Sequence, residues 1–104
     1  MLPFRGTVVI VSGAIALSGY GIYLVDTEGA AATDDLDTIN GTSQGNIVIL
    51  FPVSDARTVV VRHNIGNIHL MGALNFSLNE LRDFVELFNR DGSELDGFGV
   101  NIPS

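Results

Sequence analysis

The chain contains no cysteine and no lysine, and five arginines supply its only fixed positive charge. Without cysteine there is no disulfide framework, no thiolate nucleophile and no cysteine-based zinc site. Without lysine, and with the arginines scattered, no basic patch can form. The formal net charge of -7 separates the chain from nucleic-acid binders, which present clustered cations to phosphates. Charge of either sign is sparse: charged residues make up 16% and hydrophobic residues 46% of 104 positions. A single domain of this length exposes a large share of its surface, and so few charges cannot cover it. Part of the apolar surface is therefore expected to be buried against other copies or against another protein.

What the chain does contain is organised around Val25 to Leu70. Two apolar runs stand in it, Asn46 to Phe51 and Arg57 to Arg62, both rich in β-branched residues that suit a pleated surface. The five residues between them, Pro52 to Ala56, fit a tight antiparallel connection, so the runs are expected as neighbouring strands at the centre of a sheet. Upstream, Gly6 to Val25 carries no charge over twenty residues, long enough for a bilayer span. Ser12, Gly13, Ser18, Gly19 and Gly21 interrupt it, which favours two or three short strands with glycine-centred turns. Five carboxylates between Asp26 and Asp37 read as a solvated acidic loop. An EF-hand spacing fails there, because its fifth position would be Ile39 and the glycine falls one place late at Gly41.

Beyond Arg62, His63 to Asn67 is a turn and Ile68 to Met71 a returning strand. Short strands at near-regular spacing indicate an all-β domain over 1–104, a small antiparallel β-sandwich or jelly-roll-like form. Short arms are expected at 1–5 and 101–104. The segment 77–100 admits two readings. Leu78, Leu81, Phe84, Val85 and Phe88 recur at helical spacing, and Ser77 with Glu80 would form a capping box, giving one short C-terminal helix of about three turns. Alternatively, Phe84 to Phe88 is a strand that turns at Asn89 to Gly92 into Leu95 to Val100.

No arrangement for chemistry stands out, and neither a catalytic residue, a metal ligand nor a cofactor is expected. His63 and His69 lack a third ligand. No serine lies in a nucleophile elbow. Asp34, Asp35 and Asp37 share one loop, where a glycosidase needs two acids across a cleft. The aromatic residues default to the core, and any that are exposed would anchor a subunit interface. Tyr20, Tyr23, Phe51 and Phe98 are the candidates, with Tyr20 and Phe51 first.

Ser12 to Val61 resembles a β-rich module of tailed-bacteriophage virion proteins. The likeness is carried by Ser12-Gly13-Ala14-Ile15, Val25 to Gly29, Ala31 to Gly41, Gly45 to Leu50 and Ala56 to Val61, and more loosely by His63 to Leu70. It implies a non-enzymatic structural protein located in the virion. The size of the chain and its initial methionine favour a free-standing capsid decoration or cement protein over a piece of a long fibre. The resemblance further implies a homotrimer that contacts the major capsid protein. A tail-fibre or tail-tip module binding a host receptor is the alternative, and a membrane-anchored bacterial protein is a third reading. In the C-terminal third Asp91-Gly92-Ser93 matches the module's turn, but its tryptophan is absent, with Leu95 or Phe98 expected in its place. That turn favours the hairpin over the helix.

Overall fold

The computed structural model describes residues 1–103. Its regular elements are strands and two single 3-10 turns, Glu28–Ala30 and Met71–Ala73. The strands are β1 (Phe4–Val9), β2 (Ala14–Ala16), β3 (Gly21–Asp26), β4 (Thr33–Leu36), β5 (Thr38–Asn40) and β6 (Ile47–Pro52). They continue as β7 (Thr58–Val61), β8 (Ile68–Leu70), β9 (Phe76–Leu78), β10 (Phe84–Asn89) and β11 (Leu95–Val100).

The chain winds in coils. β1, β3 and β6 lie parallel and side by side in a six-stranded sheet of order β1-β3-β6-β10-β11-β8. β4 and β7 pair parallel on a second sheet, and β2 and β5 on a third. Thr33 stands beside Thr58 and Ile22 beside Ile49, a period of about 25 residues, within the range of solenoid repeats. The first coil is shorter, with Phe4 beside Ile22, because it runs from β1 to β2 with no strand on the second sheet. After β8 the direction reverses. β9 joins β7 antiparallel, β10 joins β6 antiparallel, and β11 returns between β10 and β8.

The architecture is therefore all-β but solenoid-like, and the antiparallel sandwich or jelly-roll expected from spacing is not what forms. The two central apolar runs are not partners: β6 lies in the six-stranded sheet and β7 in the three-stranded one. The loop between them turns a corner, with the Val53 amide donating to Val25 O at 3.1 Å and the Thr58 amide to Ala32 O at 2.9 Å. A short loop requires only that two strands be close, and this is satisfied by a corner as well as by a hairpin.

Side chains alternate along each strand, and the inward set fills the space the three sheets enclose. Tyr23, Val48, Leu50, Val59, Val61 and Leu87 are among its fully buried members. At the corners, positive φ falls mostly on glycine. Gly41 has φ +90°, and a Cβ there would collide with the Leu17 carbonyl of the coil before.

Of the two readings of 77–100, the short C-terminal helix does not form, and the hairpin favoured by the Asp91-Gly92 turn does, over 84–100. Asp91 caps its turn, accepting the amides of Ser93 at 3.0 Å and Glu94 at 2.9 Å. Leu95 is buried. Gly6 to Val25 forms β1 through β3, and no helix among the described residues is long and apolar enough to cross a membrane. Of the expected arms, Phe4 and Arg5 belong to β1, Asn101 to Pro103 follow β11, and Ser104 lies outside the described residues.

The acidic segment is not a free loop either. Its second half is β4, and its ends are tied to the arginines that flank β7. Arg57 Nε donates to Asp26 Oδ1 at 2.7 Å, and Arg62 Nε and Nη2 donate to Asp37 at 2.6 and 2.8 Å. Each pair joins one coil to the next.

Candidate functional site

The burial pattern of the six-stranded sheet is unusual on its outer side. Two cross-strand rows run over that surface. Phe4, Ile22, Ile49, Glu86 and Phe98 are in register on β1, β3, β6, β10 and β11. One step along lie Thr7, Leu24, Phe51, Phe84 and Val100, the Phe84 place following from the antiparallel register. Phe51 and Phe84 meet with ring centroids 5.4 Å apart, and Phe88 beside Ile47 extends the face. Apolar side chains thus occupy both sides of β3, β6 and β10, as in sheets that are covered on both faces. Here the inner face is fully covered by the chain itself, whereas on the outer face Ile22, Leu24, Ile49, Phe51 and Phe84 are half-buried and Phe4, Ile47, Phe88 and Phe98 are exposed.

The other two sheets differ. The three-stranded sheet turns Thr33, Asp35, Thr58, Val60 and Ser77 outward, and the pair β2–β5 turns out Ala14, Ala16, Thr38 and Asn40. Exposed apolar side chains also stand elsewhere, Val11, Ile65, Met71, Leu74 and Leu81 among them, but only on the six-stranded sheet do they form continuous cross-strand rows. Five strands at about 4.8 Å and about 17 Å of strand length give this face on the order of 400 Å² in projection. A patch of that order is within the range an ordinary monomer presents, about 300–600 Å², and is often functional.

Of the four aromatic residues expected at an interface, Phe51 and Phe98 lie on this face, Phe98 being 38% exposed. Tyr20 is 47% exposed at its margin, beneath the Arg5 guanidinium, whose Cζ stands 5.2 Å from the ring centroid. Tyr23 is a correction: at 2% exposure it belongs to the core. Its hydroxyl accepts the Ser18 amide at 2.9 Å and donates to Gly19 O at 2.8 Å, fastening the turn into β3. Ile22, Leu24, Ile49, Phe84 and Phe88 were not expected on such a surface. Their signal in the sequence is the want of polar alternation in β3, β6 and β10.

Two carboxylates stand on this face: Asp96, in register with Phe88 and paired with Arg90, and Glu86. Glu86 has no ion-pair or side-chain hydrogen-bond partner among the described residues. Arg5 also lacks a carboxylate, and its Nε donates to Tyr20 O at 3.0 Å.

Elsewhere the polar groups are mostly bonded in structural ways, the exception being buried Asp83, whose Oδ1 has no hydrogen-bond partner among the described residues. His63 and His69 come together edge to face with centroids 5.8 Å apart. His63 Nδ1 accepts the Leu70 amide at 2.9 Å, and His69 Nε2 lies 3.3 Å from Glu94. The Arg57 hydrogen bonds hold the Asp26 carboxyl below the usual aspartate range against the opposing effect of burial, and Arg62 does the same for Asp37. Asp91 is held low chiefly by the Glu94 amide and then the Ser93 amide. No group of three or more histidines and carboxylates converges as a metal ion would need, among the described residues. One open hollow of about 650 Å³ is lined by Asp55, Thr58, Asn79, Glu80, Asn101 and Pro103. Neither of its carboxylates is positioned by a hydrogen bond to its side chain among the described residues.

No family model, curated protein or solved structure matches the chain.

Proposed function

We propose that this chain is a non-enzymatic structural protein of a tailed-phage virion, a capsid decoration or cement protein that assembles as a homotrimer and contacts the major capsid protein. The observation that carries the reading is the outer face of the six-stranded sheet, predominantly apolar across five strands and only half-buried by the chain itself. Burying that face against sister copies and the shell removes it from water, which is the dominant favourable term in most protein association. The sequence resemblance across Ser12 to Val61 supplies the class of particle. The hydrogen-bonded, structural placement of both histidines fits a protein without chemistry of its own.

The alternative of a tail-fibre or tail-tip module draws support from the stacked parallel coils, since solenoids make extended binding surfaces. Copy number separates the two. Quantitative mass spectrometry of purified particles is expected to give hundreds of copies, to order of magnitude, for a decoration protein in a symmetric shell. A handful of copies would favour the tail, and no copies would defeat both readings.

A further inference from the structure

We infer that the outer face is closed by a second copy of this chain, and that Arg5 of one copy pairs with Glu86 of its neighbour at the seam. This rests on the self-association proposed above and specifies its contact. The row Phe4, Ile22, Ile49, Glu86, Phe98 carries a cation beside one end and an anion near the other. Within one chain the two cannot meet, because β1 and β10 are three strand spacings apart, about 14 Å. Glu86 sits among Ile49, Phe98 and Phe84, so covering the face with any apolar surface would strand its charge, and a partner cation is required.

The chain itself holds few candidates for that cation. Arg57, Arg62 and Arg90 are paired with Asp26, Asp37 and Asp96. Arg5 and Arg82 have no carboxylate partner among the described residues. Arg82 is in the turn before β10, where it lines a hollow with Asp55, Glu80 and Leu81, at the β10 end of the sheet rather than the β1 end. Arg5 is at the opposite margin, on β1, held there by its bond to the Tyr20 carbonyl and by the Tyr20 ring. A ring of three copies joins unlike halves of the face, the β1–β3 margin of each against the β10–β11 margin of the next. That arrangement brings Arg5 to Glu86, and leaves Arg82 away from it. Phe4 and Phe98 then close over the apolar seam beside the ion pair.

The test is a charge-swap cycle read by sedimentation equilibrium over a wide concentration range. R5E and E86R are each expected to raise the concentration at which the assembly forms by about tenfold or more, by placing like charges across the seam. The double variant R5E/E86R is expected to restore it to near wild type, and R82E to leave it unchanged. Both sites are on the surface, and E86Q, which keeps the side-chain shape, is expected to weaken assembly less than E86R. Single variants without effect, or a double variant no better than the worse single, would overturn the pairing while self-association stands. A wild type that remains monomeric throughout would overturn the shared face itself.

Discussion

The side-chain amide of Asn67 makes both hydrogen bonds to Ile39 that a neighbouring strand would make. Its Oδ1 accepts the Ile39 amide at 2.9 Å and its Nδ2 donates to Ile39 O at 2.8 Å. The same Nδ2 donates to Ser93 O at 3.0 Å. One side chain thereby ties β5 of the second coil to the turn before β8 and to the C-terminal hairpin. Ile39 is 2% exposed, so its main-chain groups have no easy recourse to water. Asn67→Ala is expected to cost about 2–4 kcal/mol, two buried main-chain groups losing their partner. Urea unfolding measures it, and a loss within about 0.5 kcal/mol would mean that water replaces the amide.

Leu50 and Phe51 are adjacent on β6 and face opposite ways. Leu50 is fully buried in the coil interior, so Leu50→Ala is expected to cost about 2–5 kcal/mol of folding stability. Phe51→Ser removes an aromatic from the outer face. It is expected to change the stability of the isolated chain by less than Leu50→Ala, while weakening self-association by about tenfold or more. Thermal melts and sedimentation on the same two variants separate the effects. Equal losses in both measurements would mean that the outer face is part of the chain's own core.

Asp26 and Asp37 make stability depend on acid. Their carboxyls titrate lower in the folded chain than the ordinary value of 3.8. The unfolded chain therefore binds more protons across that range, and stability rises with pH there. The contribution is complete above the ordinary aspartate range and is lost as pH falls through the depressed folded values. Arg57→Gln and Arg62→Gln are expected to lower the melting temperature at neutral pH and to converge on wild type under acid conditions that protonate both carboxyls. A difference that stays constant across the acid limb would assign the effect to packing of the arginine stems.

Much of the strand content is legible in the sequence, because β-branched runs and glycine-centred turns act locally. Three strands within Gly6 to Val25 and the Asp91-Gly92 hairpin follow from such signals. The winding is not legible. Its period is broken by a first coil that omits one strand, and the corner at Pro52 to Ala56 has the length of a hairpin turn. The helical spacing of Leu78, Leu81, Phe84, Val85 and Phe88 spans three pieces of structure: Leu78 ends β9, Leu81 is in the turn, and Phe84, Val85 and Phe88 belong to β10, whose apolar residues on both faces fill positions a half-buried strand leaves polar. Ser77, read as a helix cap, is instead an outward residue of β9, and the turn after it is held by Asp83, whose Oδ2 accepts the amides of Asn79 and Glu80 at 3.1 Å each. The outer-face aromatics were half legible. Phe51 and Phe98 lie on the outer face, but Tyr23 has the composition of an interface residue and the register of a core one.

The measurement that bears most directly on the account is the solution mass of the wild-type chain, by light scattering after size exclusion in detergent-free buffer. A concentration-independent species of three times the 11.1 kDa chain mass, reduced toward one by Phe51→Ser, is the predicted result. A monomer at every concentration, unchanged by that substitution, would contradict it and leave the outer apolar face without the occupant proposed for it.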